Sequence, residues 1–187
     1  MGRYSQDNSS GSMEASMALY GRFVINDADF SPLIFNGIGT FMDFSGDGLY
    51  RNHGGCSIIP GSGPIPTGKY WIVDRPAGGV WSKTRAWIKD FTNIVFSNAE
   101  FMRSEWFALY RDDGKIVDYT WIKGVERKHF RLHPGSVSWG CITLVRNTHY
   151  ALLRNELLRT RKMPVPGRSG LMAYGTIEVI HHARICP

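Results

Sequence analysis

One histidine and one cysteine in this chain stand at a spacing that could do nucleophilic chemistry. His133 precedes Cys141 by eight residues, and the stretch between them, Pro134-Gly135-Ser136-Val137-Ser138-Trp139-Gly140, holds two glycines and two serines. A thiol becomes an effective nucleophile when a base or a positive field takes its proton. A stretch this permissive can fold back and bring imidazole and sulfur together. Gly140, immediately before the thiol, allows a sharp turn and leaves room for substrate. The backbone amides of Trp139 to Cys141 could then stabilise the oxyanion formed on attack at a carbonyl. Ser138 can hydrogen-bond within such a site or cap the turn before Gly140; Trp139 can wall a substrate or pack on the sheet. The bland alternative is a cysteine that merely fills space beside a strand, and spacing alone leaves it open. A second pair, His53 and Cys56, is tighter in sequence, but no apolar strand frames it.

The elements that must position these groups read mainly as strands. Residues Met1 to Ser16 are small, polar and aperiodic, a flexible lead-in of residues 1–16 ahead of a domain spanning 17–187. Phe35-Asn36-Gly37-Ile38 carries an Asn-Gly pair between apolar residues, a two-residue hairpin signal. Lys69 to Val73 is rich in aromatic and β-branched residues and predicts a strand closed by Asp74 and Pro76. The segment Trp106 to Ile122 predicts two strands joined at Asp112-Asp113-Gly114. Phe130 to His133 reads as the end of a strand, and Ala173 to Ile180 alternates as a final one. One helix is predicted from Thr148, as N-cap, to about Arg161, with Leu152, Leu153, Leu157 and Leu158 on one face. The result is one mostly β domain with a minor helical part.

Composition narrows the function classes. The chain of 187 residues is 43% hydrophobic and 20% charged, ordinary values for a globular domain, with 21 glycines for tight turns. Its net charge of +6 suits an anionic partner, yet the basic residues are spread along the chain and form no arginine run. Nucleic acid is therefore not expected as a partner. No stretch is apolar enough to cross a bilayer, and no secretory signal is visible, so membrane insertion is not expected and synthesis in the cytoplasm is. The three cysteines have no C-x-x-C spacing for zinc. Cys56 and Cys186 could oxidise together, leaving Cys141 free, or all three could stay reduced.

A family resemblance gathers these features. The segment from His133 to Ser138-Trp139-Gly140-Cys141-Ile142 resembles the histidine and Ser/Thr-x-Gly-Cys loop of the L,D-transpeptidase catalytic domain. Upstream, Gly63-Pro64-Ile65-Pro66-Thr67-Gly68-Lys69-Tyr70-Trp71-Ile72 is similar to that family's Gly-Pro-Ile/Val-Pro strand. Phe44-Ser45-Gly46 and Asn52 resemble positions of its Tlde1 branch, found among type VI secretion effectors. The likeness spans roughly Phe35 to Val179. Two places depart from the pattern. Trp139 stands where most L,D-transpeptidases have a second histidine, and Thr143 where they have an arginine.

The resemblance implies an L,D-transpeptidase-like β-sandwich or closed sheet with the helix packed on it. It implies that Cys141 attacks the bond between the L-centre of meso-diaminopimelate and the terminal D-Ala of a peptidoglycan stem tetrapeptide. His133 would serve as base, oriented by a backbone carbonyl, and neither a metal nor an organic cofactor would be required. Ser138, Trp139, Gly140 and Arg131 would support the substrate, Arg131 as a replacement for the missing arginine charge. The setting implied is the periplasm of a target bacterium, with a cognate immunity protein and a secretion-apparatus component as partners. Two other readings are a non-catalytic wall-binding protein that keeps the fold and a general cysteine protease.

Overall fold

The structure, a computed structural model, describes residues 18–76, 101–182 and 186–187. The lead-in expected over residues 1–16 lies outside the described residues, as do Trp81 and Trp87. Eleven strands are described: β1 (Leu19–Ile25), β2 (Ser31–Phe35), β3 (Gly39–Asp43), β4 (Gly68–Asp74), β5 (Phe107–Arg111), β6 (Tyr119–Ile122), β7 (Val125–Lys128), β8 (Arg131–Pro134), β9 (Ile142–Leu144), β10 (Met163–Pro164) and β11 (Met172–His181). One α-helix among the described residues, α1 (Asn147–Arg159), follows β9. The expected class, mostly β with a small helical part, is what the chain adopts.

Nine of the strands form one sheet in the order β3-β2-β1-β11-β4-β5-β8-β9, with β10 added on β11. The two ends of that order meet, because Phe44 and Thr143 exchange backbone hydrogen bonds of 3.2 and 2.8 Å. The sheet therefore curls nearly to a barrel, a closure that protects strand edges. Alternation along each strand sends Phe23, Leu33, Ile72, Leu109, Leu132 and Ile177 into one fully buried core.

The helix meets that core through Tyr150, Leu153 and Leu157, spaced for a single face. Burial of each contributes roughly 1.5–3 kcal/mol. The four-leucine face expected from sequence is corrected: Leu152 and Leu158 are 46% and 47% exposed. The expected cap moves as well. Arg146 occupies the N-cap without a side-chain bond, Thr148 lies inside the first turn, and the helix stops at Arg159 before Thr160.

Two turn expectations change. β2 and β3 pair from Phe35 to Gly39, so the connection holds three residues, Asn36 to Ile38, rather than two. β5 and β6 are not a hairpin: β5 lies between β4 and β8, while β6 pairs with β7 in a separate ribbon. Asp113 explains the change. Its carboxylate accepts from the amides of Lys115 and Ile116 and from the Thr120 hydroxyl, which builds a longer turn and turns the chain away.

A buried carboxyl sits at the seam. Asp43 is fully buried at the end of β3, its oxygens meet no donor in hydrogen-bonding geometry, and the Val145 amide is the backbone donor that bears on it. Burial pushes this carboxyl up to about 7, against the smaller effect of that amide. No described helix is long and apolar enough to cross a membrane.

Cys56 and Cys186 are joined by a disulfide, and Cys141 is the free thiol. The bond spans 130 positions of sequence, and in the chain-entropy view a loop of that size stabilises the fold by about 4–5 kcal/mol. Replacing the exposed Cys186 by Ser is expected to lower the unfolding free energy by about 4 kcal/mol in urea titrations. Reduction should lower the wild type to the same level and leave the variant unchanged.

Candidate active site

β8 and β9 run parallel and side by side, with Leu132 opposite Ile142, His133 opposite Thr143 and Pro134 opposite Leu144. Side chains alternate along a strand. Leu132, Ile142 and Leu144 therefore enter the core, and Arg131, His133, Cys141 and Thr143 share the other face. Cys141 is the diagonal neighbour of His133 on that face, within reach of side-chain interaction. The two candidates for chemistry are thus brought to adjacent strands of one surface.

Parallel neighbours usually need a connection of a dozen or more residues. Here residues 135 to 141 suffice, and the return loop is held down at several points. The Gly135 amide donates to the Leu144 carbonyl at 3.0 Å. Ser138 donates to the Cys141 carbonyl at 2.7 Å and accepts from the Gly46 amide at 3.3 Å. Gly140 has a φ of +94°, and a β-carbon there would stand 2.6 Å from the Arg127 guanidinium and 3.1 Å from the Gly63 carbonyl oxygen. Both the left-handed backbone and the lack of space demand glycine.

The other sequence motifs converge on this loop as scaffolding. The Ser45 hydroxyl accepts from the Ile65 amide at 2.8 Å, and its own amide donates to the Asn52 side chain at 2.9 Å. Asn52, fully buried, also donates to the carbonyls of Ala28 and Asp29. Prolines at 64 and 66 bring no N–H of their own, and the carbonyls around them go to side chains. Arg127 donates to Gly63, Pro64 and Ser57, Tyr70 donates to Pro66, and Arg111 donates to Thr67. Nothing in the sequence pointed to Arg127, since its partners lie some seventy positions upstream.

The imidazole is fixed on three sides. Its Nδ1 donates to the Pro134 carbonyl at 2.9 Å, which leaves the Nε2 lone pair facing the Thr143 hydroxyl at 3.3 Å. The ring stacks on Trp106 with centroids 4.3 Å apart and planes 20° from parallel. Trp106 is the ring that sets the plane of His133. The thiol of Cys141 donates to the His129 carbonyl at 3.7 Å.

Charge around the pair is positive. Burial, together with the charges of Arg131, Arg103 and Arg75, pushes His133 down to about 4, against the pull of the Pro134 carbonyl. Burial likewise pushes the Cys141 thiol up to about 11, moderated by Arg131 and Arg127. At neutral pH both groups are therefore uncharged at rest. Arg131 places both terminal nitrogens on Asp118, at 2.5 and 2.7 Å, and Asp118 also holds the His129 ring at 3.0 Å. Burial would raise the Asp118 carboxyl, but these two partners hold it below the usual carboxylate range.

A groove of about 350 Å³, lined by Pro60, Gly61, Glu126, Arg127, Lys128, His129 and Trp139, reaches His129, whose carbonyl accepts from the buried thiol. Trp139, half-buried, packs with Val137 against Trp106, so it forms one wall between that groove and the imidazole stack. The rival pair is disposed of: Cys56 is in the disulfide, and His53 lies 3.3 Å from Asp27.

The family model for the Tlde1 domain matches residues 39–168. This chain belongs to the Tlde1 domain family. No curated protein and no solved structure matches it. The matched stretch holds every candidate residue of the Tlde1 site, from Arg131 and His133 to Ser138, Trp139, Gly140 and Cys141, along with the Phe44-Ser45-Gly46 and Gly63-Pro64 scaffolds. β1 and β11 lie outside it yet stand in the middle of the sheet.

A neutral resting thiol has a measurable signature. Alkylation of Cys141 in the Tlde1 domain by iodoacetamide is expected to speed up about tenfold per pH unit through pH 8–10, without levelling below about 11. A plateau reached near neutral pH would show a preformed thiolate instead.

Proposed function

We propose that this Tlde1 domain is a peptidoglycan-modifying cysteine enzyme acting on stem tetrapeptides, as L,D-carboxypeptidase, as L,D-transpeptidase with D-amino-acid exchange, or both. The observation that carries the reading is the placement of His133. Its Nδ1 is committed to the Pro134 carbonyl, and its Nε2 faces Thr143, two residues along the same face from Cys141.

In this reading the thiol leaves the His129 carbonyl by rotation about its side chain and gives its proton to Nε2 as sulfur attacks the diaminopimelate carbonyl. The carbon–sulfur bond forms, the oxyanion takes hydrogen bonds from the amides of the Trp139 to Cys141 loop, and collapse breaks the peptide bond. The departing D-Ala amine takes the proton back from the imidazolium. Water or an amine then gives a proton to Nε2, attacks the thioester and returns the thiol. Arg131 and Arg127 stabilise the developing thiolate through their charge. Ser138 and Gly140 keep the loop in shape, and Trp139 walls the substrate. The low basicity of His133 makes it a weak base and its imidazolium a strong acid, which favours expulsion of the amine.

The biological setting we propose is that of an antibacterial type VI secretion effector, acting in the periplasm of a target cell and neutralised in its producer by a cognate immunity protein. Membership of the Tlde1 family supports that setting.

Mass spectrometry of muropeptides tests the chemistry. Wild-type protein is expected to convert tetrapeptides to tripeptides, or to exchange D-Ala for an added D-amino acid, while Cys141→Ser and His133→Gln lose at least a thousandfold of the rate. Unchanged tetrapeptides with wild type, or full activity in Cys141→Ser, would overturn the proposal. The acid limb of kcat/KM is expected near pH 4, because only below about 4 does protonation remove the base.

A further inference from the structure

The β6–β7 ribbon stands on a two-residue base that touches the nucleophile. Its ladder runs from Ile122 opposite Val125 to Tyr119 opposite Lys128, so the next pair toward the sheet is Asp118 and His129. The His129 amide closes that base on the Asp118 carbonyl at 2.9 Å, and the His129 ring meets the Asp118 carboxylate at 3.0 Å. Held by both bonds, His129 keeps a left-handed backbone, φ +61°, which a residue with a side chain resists. The carbonyl of this bent residue accepts from the Cys141 thiol at 3.7 Å.

The same carboxylate reaches the thiol by a second route. One step back from the Leu132–Ile142 pair, Arg131 stands across from Cys141, and neighbouring strands lie about 4.8 Å apart. The Arg131 guanidinium, on a side chain only 6% exposed, takes both oxygens of Asp118 at 2.5 and 2.7 Å. Burial works against the Arg131 charge, and the carboxylate more than restores it. Around the sulfur, burial raises the thiol, Arg131 and Arg127 lower it, and Asp118 raises it. Arg75 feels the same sulfur from just beyond β4. The cation opposite the nucleophile and the anion that balances it are therefore one unit, and that unit also holds the ribbon base.

We infer that Asp118 is a positioning residue for the nucleophile, fixing the carbonyl that holds the thiol and balancing the guanidinium opposite it. With Asp118 in place the sulfur rests as a thiol aimed at His129, and Arg131 is anchored where charge develops during attack. Without it, Arg131 keeps its charge but loses its anchor, and the unbalanced cation favours loss of the thiol proton to solvent. The sulfur then rests as an anion paired with Arg131, and a more acidic thiol gives a less nucleophilic thiolate. The proton is lost from the pair as well, although the departing amine needs it from His133. That last consequence rests on the proposed reaction; the resting state of the sulfur does not.

The experiment follows iodoacetamide alkylation of Cys141 against pH in wild type, Asp118→Asn, Arg131→Gln and the double variant, with folding checked by circular dichroism. Asp118→Asn is expected to alkylate about 3- to 10-fold faster at pH 8 and to level off at lower pH, since one unit of thiol acidity is tenfold in thiolate. The double variant is expected to return to the wild-type rate or below it, because anion and cation leave together. A merely structural role for Asp118 would loosen the site and speed the double variant at least as much as the single one, which would overturn the inference. So would an unmoved profile in Asp118→Asn. On tetrapeptides Asp118→Asn is expected to lose roughly tenfold or more in kcat/KM while its alkylation quickens. If wild type turns over no tetrapeptide, the proposed reaction fails, and the alkylation series still decides the role of Asp118. Removing one partner of a buried ion pair can undo a fold. Should Asp118→Asn alone not fold, faster alkylation in the double variant than in Arg131→Gln supports the inference, and equal rates overturn it.

Discussion

The parallel pairing of β8 with β9 through a seven-residue return is the constraint on which the rest of this molecule depends. It makes the strand that ends after His133 the neighbour of the strand that begins after Cys141, with side chains in phase. Such a short return has little freedom, so every surrounding element is recruited to hold it. Ser138 closes it from within, Gly46 from the loop after β3, and Arg127 with the Gly63-Pro64 carbonyls from beneath. The motifs resembling the L,D-transpeptidase pattern are therefore mostly masonry. In the proposed reaction two side chains supply the reactive atoms, and the others determine where those two stand.

Electrostatics follows from the same geometry. A face that lies over the core on one side and under Trp106 and Trp139 on the other is poor in water, so burial there favours neutral forms, an effect that Arg131 and Asp118 overcome by holding each other charged. Thiol and imidazole obey this, and the arginines remain charged because their intrinsic basicity is far higher. The outcome is an uncharged reactive pair inside a cationic frame. Negative charge developing on sulfur or on the carbonyl oxygen finds compensation already in place, with no reorganisation required.

Much of this was legible in the sequence, but unevenly. Strands β4 and β11 announced themselves by β-branched and aromatic residues, and the thiol and its base by a glycine-bracketed interval of fixed length. The Asp112-Asp113-Gly114 turn misled because its dipeptide fits a tight hairpin, while the Asp113 carboxylate makes a larger turn from the residues beyond it. Thr148 looked like a cap because it is a capping residue type, yet the chain enters the helix two residues earlier, at Arg146, without a side-chain cap. Trp106, Arg127 and Asp118 left no local mark in the sequence. Trp106 meets His133 by stacking across neighbouring strands, while Arg127 and Asp118 act through side-chain bonds to backbone carbonyls and to Arg131 that only the folded chain brings together.

Asp43 gives the barrel a preferred place to come apart. Beside it the circle is completed by a single bridge between Phe44 and Thr143, where other neighbours share runs of several pairs. As pH rises from the ordinary carboxylate range toward about 7, holding that group uncharged in an apolar setting becomes steadily more costly, by roughly 1.4 kcal/mol per pH unit. Parting β3 from β9 would let water reach the new charge while leaving the β8–β9 pair whole. The approach to neutral pH thus loosens the hoop at its clasp, next to the strand that follows Cys141, and spares the β8–β9 pair that the hoop surrounds.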